Sequence, residues 1–446
     1  MRRISLGVPL ANPGDEKPMP QPTSGHGRRF LFLQGPHGPF FRQLGAALAA
    51  TGATVWRVGF NQGDQAFWPS DSYIPHKAGD WSERLDHILT DNQTTDLVLY
   101  GDIRPVHAQA IALARARNVT VHVFEEGYLR PYWVTYERGG SNGHSRLMQM
   151  DVADLQARYP DLVAGVAEVP PVWGDMRQHM FWGAIYHGLV LAGARRYPGF
   201  RPHRGLTIAQ EFGLYLRRFM MLPLHRWERM LATRRIAVGR FPYHLVLLQL
   251  EHDASFQAHS PFRTMAEFLA PVMEGFAKGA ALHHHLVFKA HPLEDGRAPI
   301  ARDIHALARQ YGLQSRVHFV RGGKLARLLD MAQSAVTVNS TAGQQALWRG
   351  LPLRTFGAAV YGKAEFVSTQ SLPDFFAAPR APDLAAYRAF RAYLLATSQI
   401  PGGFYSTAGR KRLLRGVVDK VLSDRDPYDA LSMLDAAQRQ QLRIVV

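Results

Sequence analysis

The chain has 446 residues, of which 46% are hydrophobic and 20% charged, so it is a globular protein with material for two cores and not a disordered polymer. It contains no cysteine, which excludes a disulfide frame and a thiolate metal site. A formal charge of +16 and a pI near 10.2 predict anionic company: nucleic acid, nucleotide-activated substrates or an acidic membrane face.

Residues 1–28 are rich in proline, glycine and polar side chains and read as a flexible tail; they begin with arginines but hold no apolar run of signal length. No later stretch is long and apolar enough to cross a bilayer, the best, 181–194, being short and holding His187. The expected location is therefore the cytoplasm, with contact to a membrane surface left open. A first α/β unit is expected over 29–150. Phe30 opens a buried strand broken by Gly35-Pro36 and Gly38-Pro39, and the helix after it ends at Gly52. Ala53–Phe60 is the next strand, with Asn61–Asp64 as its exit loop. A helix around Trp81–Thr90, a strand over Asp96–Asp102, an alanine-rich helix over Val106–Arg117 and a strand over Val119–Gly127 follow. This alternation predicts a parallel, doubly wound sheet.

From 151 to 240 the pattern changes to apolar, aromatic and arginine-rich helical stretches, interrupted by Pro198 and Pro223. Two readings stand. One is a helical insert with solvated arginines; the other is an interfacial surface, with Trp182, Tyr186, Phe219 and Trp227 at headgroup depth. A second α/β unit is expected over 241–385. Its first strand ends at Gln249, and Glu251, His252, Asp253 and Ser255 occupy the exit loop. After a helix over Thr264–Gly279, LVFKAHP makes a strand that ends in His291-Pro292. Another strand covers Val317–Gly323, and AVTVN leads through Asn339-Ser340-Thr341 into a helical AGQQALWRG. Arginine-rich helices are expected over 386–446.

Parallel strands of this kind deliver functional groups beyond their carboxyl ends. Pro292 holds a turn that faces the His291 imidazole outward. Ser340 and Thr341 read as the cap of a helix whose N–H groups accept an anion, and Gly343 would let a phosphate approach the backbone. Together they predict a phosphate cradle; singly, His-Pro also reads as a loop and Ser-Thr as an ordinary cap. In VFEEGYLRP two glutamates end a strand, one facing the cleft and the other packing behind it. Paired carboxylates repel, so one can hold a proton while its neighbour stays ionised, as a base or nucleophile requires. The same pair also reads as capping backbone or bridging Arg130.

In order, FLFLQGPHGPFFRQL, RVGFNQGDQAFW, VFEEGYLRPYWVT, QLEHDASF, FKAHP and VNSTAGQQAL resemble the capsule polysaccharide β-Kdo transferases of the KpsS type, from Phe30 to about Leu353. The resemblance implies a GT-B-like α/β fold, two Rossmann-like domains with a cleft between them. It implies CMP-β-Kdo as donor and transfer of the first β-Kdo onto a phosphatidylglycerol-type lipid, starting a capsule linker on the inner face of the inner membrane. The layout is similar to that of bacterial sialyltransferases. Retention of configuration, implied by the likeness, makes a glutamate the nucleophile, Glu126 in preference to Glu125. His291-Pro292 and Ser340-Thr341 fall at the CMP phosphate, with Lys289, Asn339 and Gly343 beside them and Arg130 or Arg104 for the sugar carboxylate. Gln34, Gly35, Asn61 and Asp64 are expected on the acceptor side, and Gln249, His252 and Asp253 are further cleft candidates. Ala290 stands where many relatives have a second histidine, and Glu126 where relatives outside this branch have aspartate. No Asp-x-Asp follows a strand, the one good match being Asp424-Arg425-Asp426, so lysine and arginine are expected to serve in place of a metal. Partners are expected to include other capsule biosynthesis and export proteins. The alternatives are another CMP-sugar transferase, sialyltransferase-like, or a non-enzymatic export scaffold; no nucleic-acid-binding module appears.

Overall fold

The computed structural model describes residues 24–162, 175–200, 206, 208–294 and 296–441, so most of the expected tail lies outside the described residues. The first unit alternates β1 (Arg29–Phe32), α1 (Phe40–Ala50), β2 (Thr54–Gly59), α2 (Gln62–Ala66), β3 (Tyr73–Pro75), α3 (Trp81–Asp91), β4 (Asp96–Tyr100), α4 (Pro105–Ala116), β5 (Thr120–Glu126) and β6 (Trp133–Arg138). The second contains β7 (Tyr243–Leu247), β8 (His285–Lys289), β9 (Val317–Val320), β10 (Ser334–Thr337) and β11 (Leu353–Thr355). A last short strand, β12 (Gln399–Pro401), returns to the first sheet. The sheets run β12-β6-β5-β4-β1-β2-β3 and β11-β10-β7-β8-β9. These are the two Rossmann-like units expected for a GT-B-like α/β protein.

Each sheet reverses direction once, between β1 and β4 and between β7 and β10, which opens a crevice at the carboxyl ends of those strands. Strands such as β4 (DLVLY) and β7 (YHLVL) are buried on both faces, because helices cover both sides. Phe30, Phe32, Val98 and Phe124 pack toward α1, while Leu31, Leu97, Leu99 and Val123 pack toward α3 and α4. A third core joins the units: Tyr128, Leu129 and Trp133 of the first pack with Leu245, Ala346, Tyr361 and Tyr387 of the second.

The all-parallel expectation fails at one edge. β6 runs antiparallel to β5, and β12 antiparallel to β6. The connection 127–132 is far shorter than the dozen or so residues that a parallel crossover needs, so the chain folds back as a hairpin. The expected loop at 61–64 is instead the start of α2, because the Asn61 side chain accepts the Asp64 N–H at 2.9 Å and nucleates a turn. The segment 386–446 is not helical throughout, since it supplies β12 and sends the helix Thr407–Leu422 back against α1.

Between the units lie α5 (Val152–Arg158) and a pair of longer helices, α6 (Asp175–Ala192) and α7 (Ile208–Gly239), the second containing Pro223. Of the aromatics expected at headgroup depth, Trp227 is exposed and the Phe219 side chain lies outside the described residues. Trp182 and Tyr186 turn inward. The Trp182 indole donates to the Tyr405 carbonyl at 3.1 Å, and the Tyr186 hydroxyl joins a buried polar network, so their polar tips are satisfied by protein.

At the amino end of β4 the buried Asp96 accepts from Arg28 Nε at 2.8 Å and contacts His122 Nε2 at 2.7 Å. Burial works against its charge, but the hydrogen bonds from Arg28 and His122 overcome this and hold the carboxyl well below the usual carboxylate range. Its stabilisation is therefore present above the unfolded pKa and disappears as pH falls through the folded one. Asp96→Asn should cost about 3–5 kcal/mol at neutral pH, read from urea denaturation, with the difference from wild type shrinking in strong acid.

Candidate active site

β5 ends in the two glutamates, and strand pleating sends them to opposite faces of the sheet. Glu126 lies on the α1 face. Its Oε1 accepts from the Tyr405 hydroxyl at 2.8 Å and from the Tyr100 hydroxyl at 3.2 Å, two donors that fix its orientation. Glu125 lies on the other face, with Oε1 accepting the Glu126 N–H at 3.0 Å and Oε2 beside Gly101. Burial first, then the charges of Glu126 and Asp253, push the Glu125 carboxyl up to about 8, against the opposing pull of that hydrogen bond and of Arg130. Asp253 belongs to the second unit, so Glu125 is the carboxylate that looks across the seam.

The turn after Glu126 is joined directly to the second unit. Helix α12 (Gly343–Trp348) presents Gln344, whose Nε2 donates to the Tyr128 carbonyl at 2.9 Å. (The intervening helices are α8, Ala254–His259; α9, Met265–Gly279; α10, Ile300–Gln310; and α11, Leu325–Leu329.) The His144 ring meets His259 of α8 at 4.9 Å, and His144 Nδ1 lies 3.1 Å from Asp102 at the exit of β4. The glutamates and the Ser340-Thr341 segment therefore border one seam.

Lys289 and His291 end β8. Lys289 is buried, its Nζ donates to the Ala290 carbonyl at 3.3 Å, and burial together with Arg229 of α7 lowers its pKa to about 8. His291 is half-buried, and its Nδ1 accepts the Leu293 N–H at 3.1 Å, so the neutral ring carries its proton on Nε2. Pro292 beside it is exposed and approaches Gly322 of the neighbouring loop. Arg229, which sequence reasoning missed, reaches Gly323 and adds a second cation over the ends of β8 and β9.

Several expected ligand contacts turn out to be framework. Gln249 and Asn339 bind each other, Gln249 Nε2 donating to Asn339 Oδ1 at 2.8 Å and Asn339 N donating to Gln249 Oε1 at 3.0 Å. Asn339 Nδ2 donates to the Ser255 carbonyl, so this pair pins β7 to β10 where the strand order reverses. Ser340 and Thr341 do not cap α12; its N-cap is Ala342, and Ser340 Oγ accepts the Ala342 N–H at 3.2 Å. Gly343 makes room for Tyr361, since a Cβ there would lie 2.5 Å from the Tyr361 hydroxyl. The half-buried Asp253 caps α8 through the Ser255 N–H, and His252 beside it is also half-buried.

The expected acceptor residues form a closed network. Asp64 Oδ2 accepts from Gln34 Nε2 at 3.1 Å and from Phe60 N at 3.0 Å, while Tyr186 donates to Oδ1 and accepts from Asn61. Gln34, Asn61 and Asp64 are buried, the last two each 1% exposed, and the half-buried Gly35 is pressed against Phe41, so these residues build the wall of the first unit. Arg130 is exposed, with Nε donating to the Gly127 carbonyl at 3.3 Å; Arg104, at the start of α4, lies 5.5 Å over the Tyr100 ring. No group of three or more acidic, histidine or cysteine side chains suited to a metal occurs among the described residues.

A family model described as capsule polysaccharide biosynthesis protein matches residues 95–405. The capsule polysaccharide export protein KpsS of Escherichia coli is 30% identical over 386 residues, covering 85% of this chain and 97% of that protein. The capsule polysaccharide modification protein LipB of Neisseria meningitidis serogroup A is 31% identical over 392 residues, 84% of this chain and 91% of its own. Among solved structures, KpsC of Thermosulfurimonas dismutans, a beta Kdo 2,7 transferase, aligns with 88% of this chain and 99% of that chain, at a TM-score of 0.44 and 13% identity.

Because the folded state keeps a proton on Glu125 that the unfolded chain loses near pH 4, the carboxyl destabilises the fold increasingly as pH rises toward 8. Glu125→Gln should therefore raise the thermal midpoint, by more at pH 9 than at pH 5, in scanning calorimetry. An equal or lower midpoint at pH 9 would mean that the carboxyl is not held in this way.

Proposed function

The chain belongs to the capsule polysaccharide biosynthesis family, and from that premise we propose that it is a glycosyltransferase moving β-Kdo from CMP-β-Kdo onto a phosphatidylglycerol-type lipid, working as a peripheral protein on the inner face of the inner membrane. The observation that carries the reading is the Gln344–Tyr128 hydrogen bond. It fastens the strand end bearing two unlike carboxylates to the unit that carries Lys289 and His291, against which α7 sets Arg229.

In this reaction Glu126, oriented by Tyr100 and Tyr405, attacks the anomeric carbon while the bond to the CMP phosphate oxygen breaks. CMP departs with the electron pair, and Lys289, His291 and Arg229 stabilise the charge that collects on its phosphate. Arg130 and Arg104 hold the sugar carboxylate. In the second step an acceptor hydroxyl attacks the same carbon, Glu125 takes its proton, and Glu126 is released. Two displacements retain configuration. A carboxyl held near 8 is matched to that proton transfer. Two cations and the His291 Nε2–H donor near the leaving phosphate make a divalent metal unnecessary in this scheme. A non-catalytic role in export, after which the Escherichia coli relative is named, would need none of these groups.

Incubation of the pure protein with CMP-Kdo and phosphatidylglycerol should yield a Kdo-lipid by mass spectrometry, at an undiminished rate in EDTA. Glu126→Gln should abolish the product, and capsule assembly that survives this change would support the export role instead. Tyr405→Phe should lower kcat by roughly ten- to a hundredfold, since it removes one of two donors that orient the nucleophile. The rate should rise with pH toward about 8 as Glu125 loses its proton, and fall above it as Lys289, held near the same value, loses its charge. Glu125→Asp should keep a rising limb, whereas Glu125→Gln should remove it.

A further inference from the structure

Helix α7 carries an apolar surface that the catalytic reading leaves unused. Met220, Leu224, Trp227, Leu231 and Val238 follow one another at steps of four, three, four and seven residues, so they line one side of the helix for about five turns. They are 60%, 48%, 56%, 42% and 72% exposed, whereas Ile236, on the opposite side, is 3% exposed and packs into the core that joins the units. On α6 the neighbours Met180 and Phe181 are 53% and 57% exposed. Single exposed leucines are ordinary on a soluble protein, but a continuous stripe marks a contact surface.

The charges around the stripe select the occupant. The sequence of α7 holds six arginines and two glutamates. Arg217, Arg226, Arg234 and Arg235 are exposed, Arg234 falling in the stripe itself between Leu231 and Val238. One of the two glutamates, Glu228, is taken by Arg321 at 2.8 Å. A second copy of this helix would set arginine against arginine with almost no acid to answer it. A surface of lipid phosphates over acyl chains answers both features. No described helix is long and apolar enough to cross a membrane, so a lipid contact made by α7 would be an interfacial one.

We propose that the exposed stripe of α7, with the Met180–Phe181 edge of α6, docks this protein on an anionic lipid surface. The apolar side chains enter the acyl boundary and the arginines meet phosphates. The inner side of α6 meanwhile touches the site: His179 stacks on Tyr405 at 4.3 Å, and Tyr405 holds Glu126. One insert thus borders both the lipid and the carboxylate. The inference deepens the reading above by giving the lipid acceptor its route, but its test needs no sugar donor.

Flotation of the full chain with phosphatidylcholine vesicles, with and without phosphatidylglycerol, tests it. Wild type should float only with the anionic vesicles. Arg226→Gln/Arg234→Gln should lower the partition coefficient roughly thirtyfold, and Leu224→Ser/Trp227→Ser/Leu231→Ser at least about tenfold, both with unchanged circular dichroism. The proposal falls if wild type stays in the soluble fraction with either lipid, or if the triple-serine variant floats like wild type. It falls equally if light scattering finds a wild-type dimer that the triple-serine variant dissociates, because the stripe is then a seam between copies. Floating without Kdo transfer would leave this inference standing and remove the proposed reaction. Kdo transfer to a short-chain lipid without flotation would do the reverse.

Discussion

The turn Gly127–Leu129 is fixed from three directions, and the chemistry at Glu125 and Glu126 depends on that. From β6, Thr135 Oγ1 donates to the Glu126 carbonyl at 3.2 Å and accepts the Tyr128 N–H at 3.1 Å. From β12, Gln399 Oε1 accepts the Leu129 N–H at 3.3 Å while its Nε2 donates to Thr135 Oγ1 at 3.0 Å. From the second unit, Gln344 takes the Tyr128 carbonyl. Gly127 itself admits no side chain, because a Cβ would lie 2.2 Å from the Trp133 carbonyl oxygen. A strand end tied in this way cannot fray, and preorganisation of that kind is what positions a nucleophile.

The pleat then divides the labour. Adjacent residues at the end of a strand see different halves of the protein, so two identical carboxyl groups acquire different surroundings without any difference in sequence. Glu126 meets phenol donors supplied by β4 and by the segment after β12. Glu125 meets the Glu126 N–H and the charges of Glu126, Arg130 and Asp253, and desolvation governs it. Across the seam the same logic runs with opposite sign: Lys289 loses proton affinity by burial beside Arg229, which suits a cationic site waiting for an anion.

Local patterning made much of this legible. The α/β alternation, the polar ends of β5, β8 and β10, and the His291 turn follow from apolar runs broken by polar residues. The antiparallel return of β6 follows from a connection, 127–132, too short for a parallel crossover, but only once YWVTYER is recognised as a strand. Tyr405, Arg229 and Tyr361 reach the site from far along the chain, and no spacing rule links them to it. The opposite error arose at Gln34, Asn61, Asp64, Gln249 and Asn339. Polar residues at strand exits look like ligands in a sequence, yet here they satisfy one another, because buried polar groups in a crevice must find partners whether or not a substrate ever comes.

That distinction decides where a ligand can bind. A side chain whose donors and acceptors are already met by protein must break those bonds to bind anything else, at a cost near that of the bonds lost. The Asp64 network and the Gln249–Asn339 pair are therefore walls, which hold β1 against α2 and β7 against β10 while presenting little to solvent. Glu126 is held by two phenols through one oxygen, His291 is half-buried with the proton of its neutral ring on Nε2, and the buried Lys289 donates to a carbonyl at 3.3 Å. Two polar clasps and one turn tied to three elements thus hold the carboxylates at the end of β5 and the basic groups at the ends of β8 and β9, the division of charge that the proposed departure of an anionic leaving group requires.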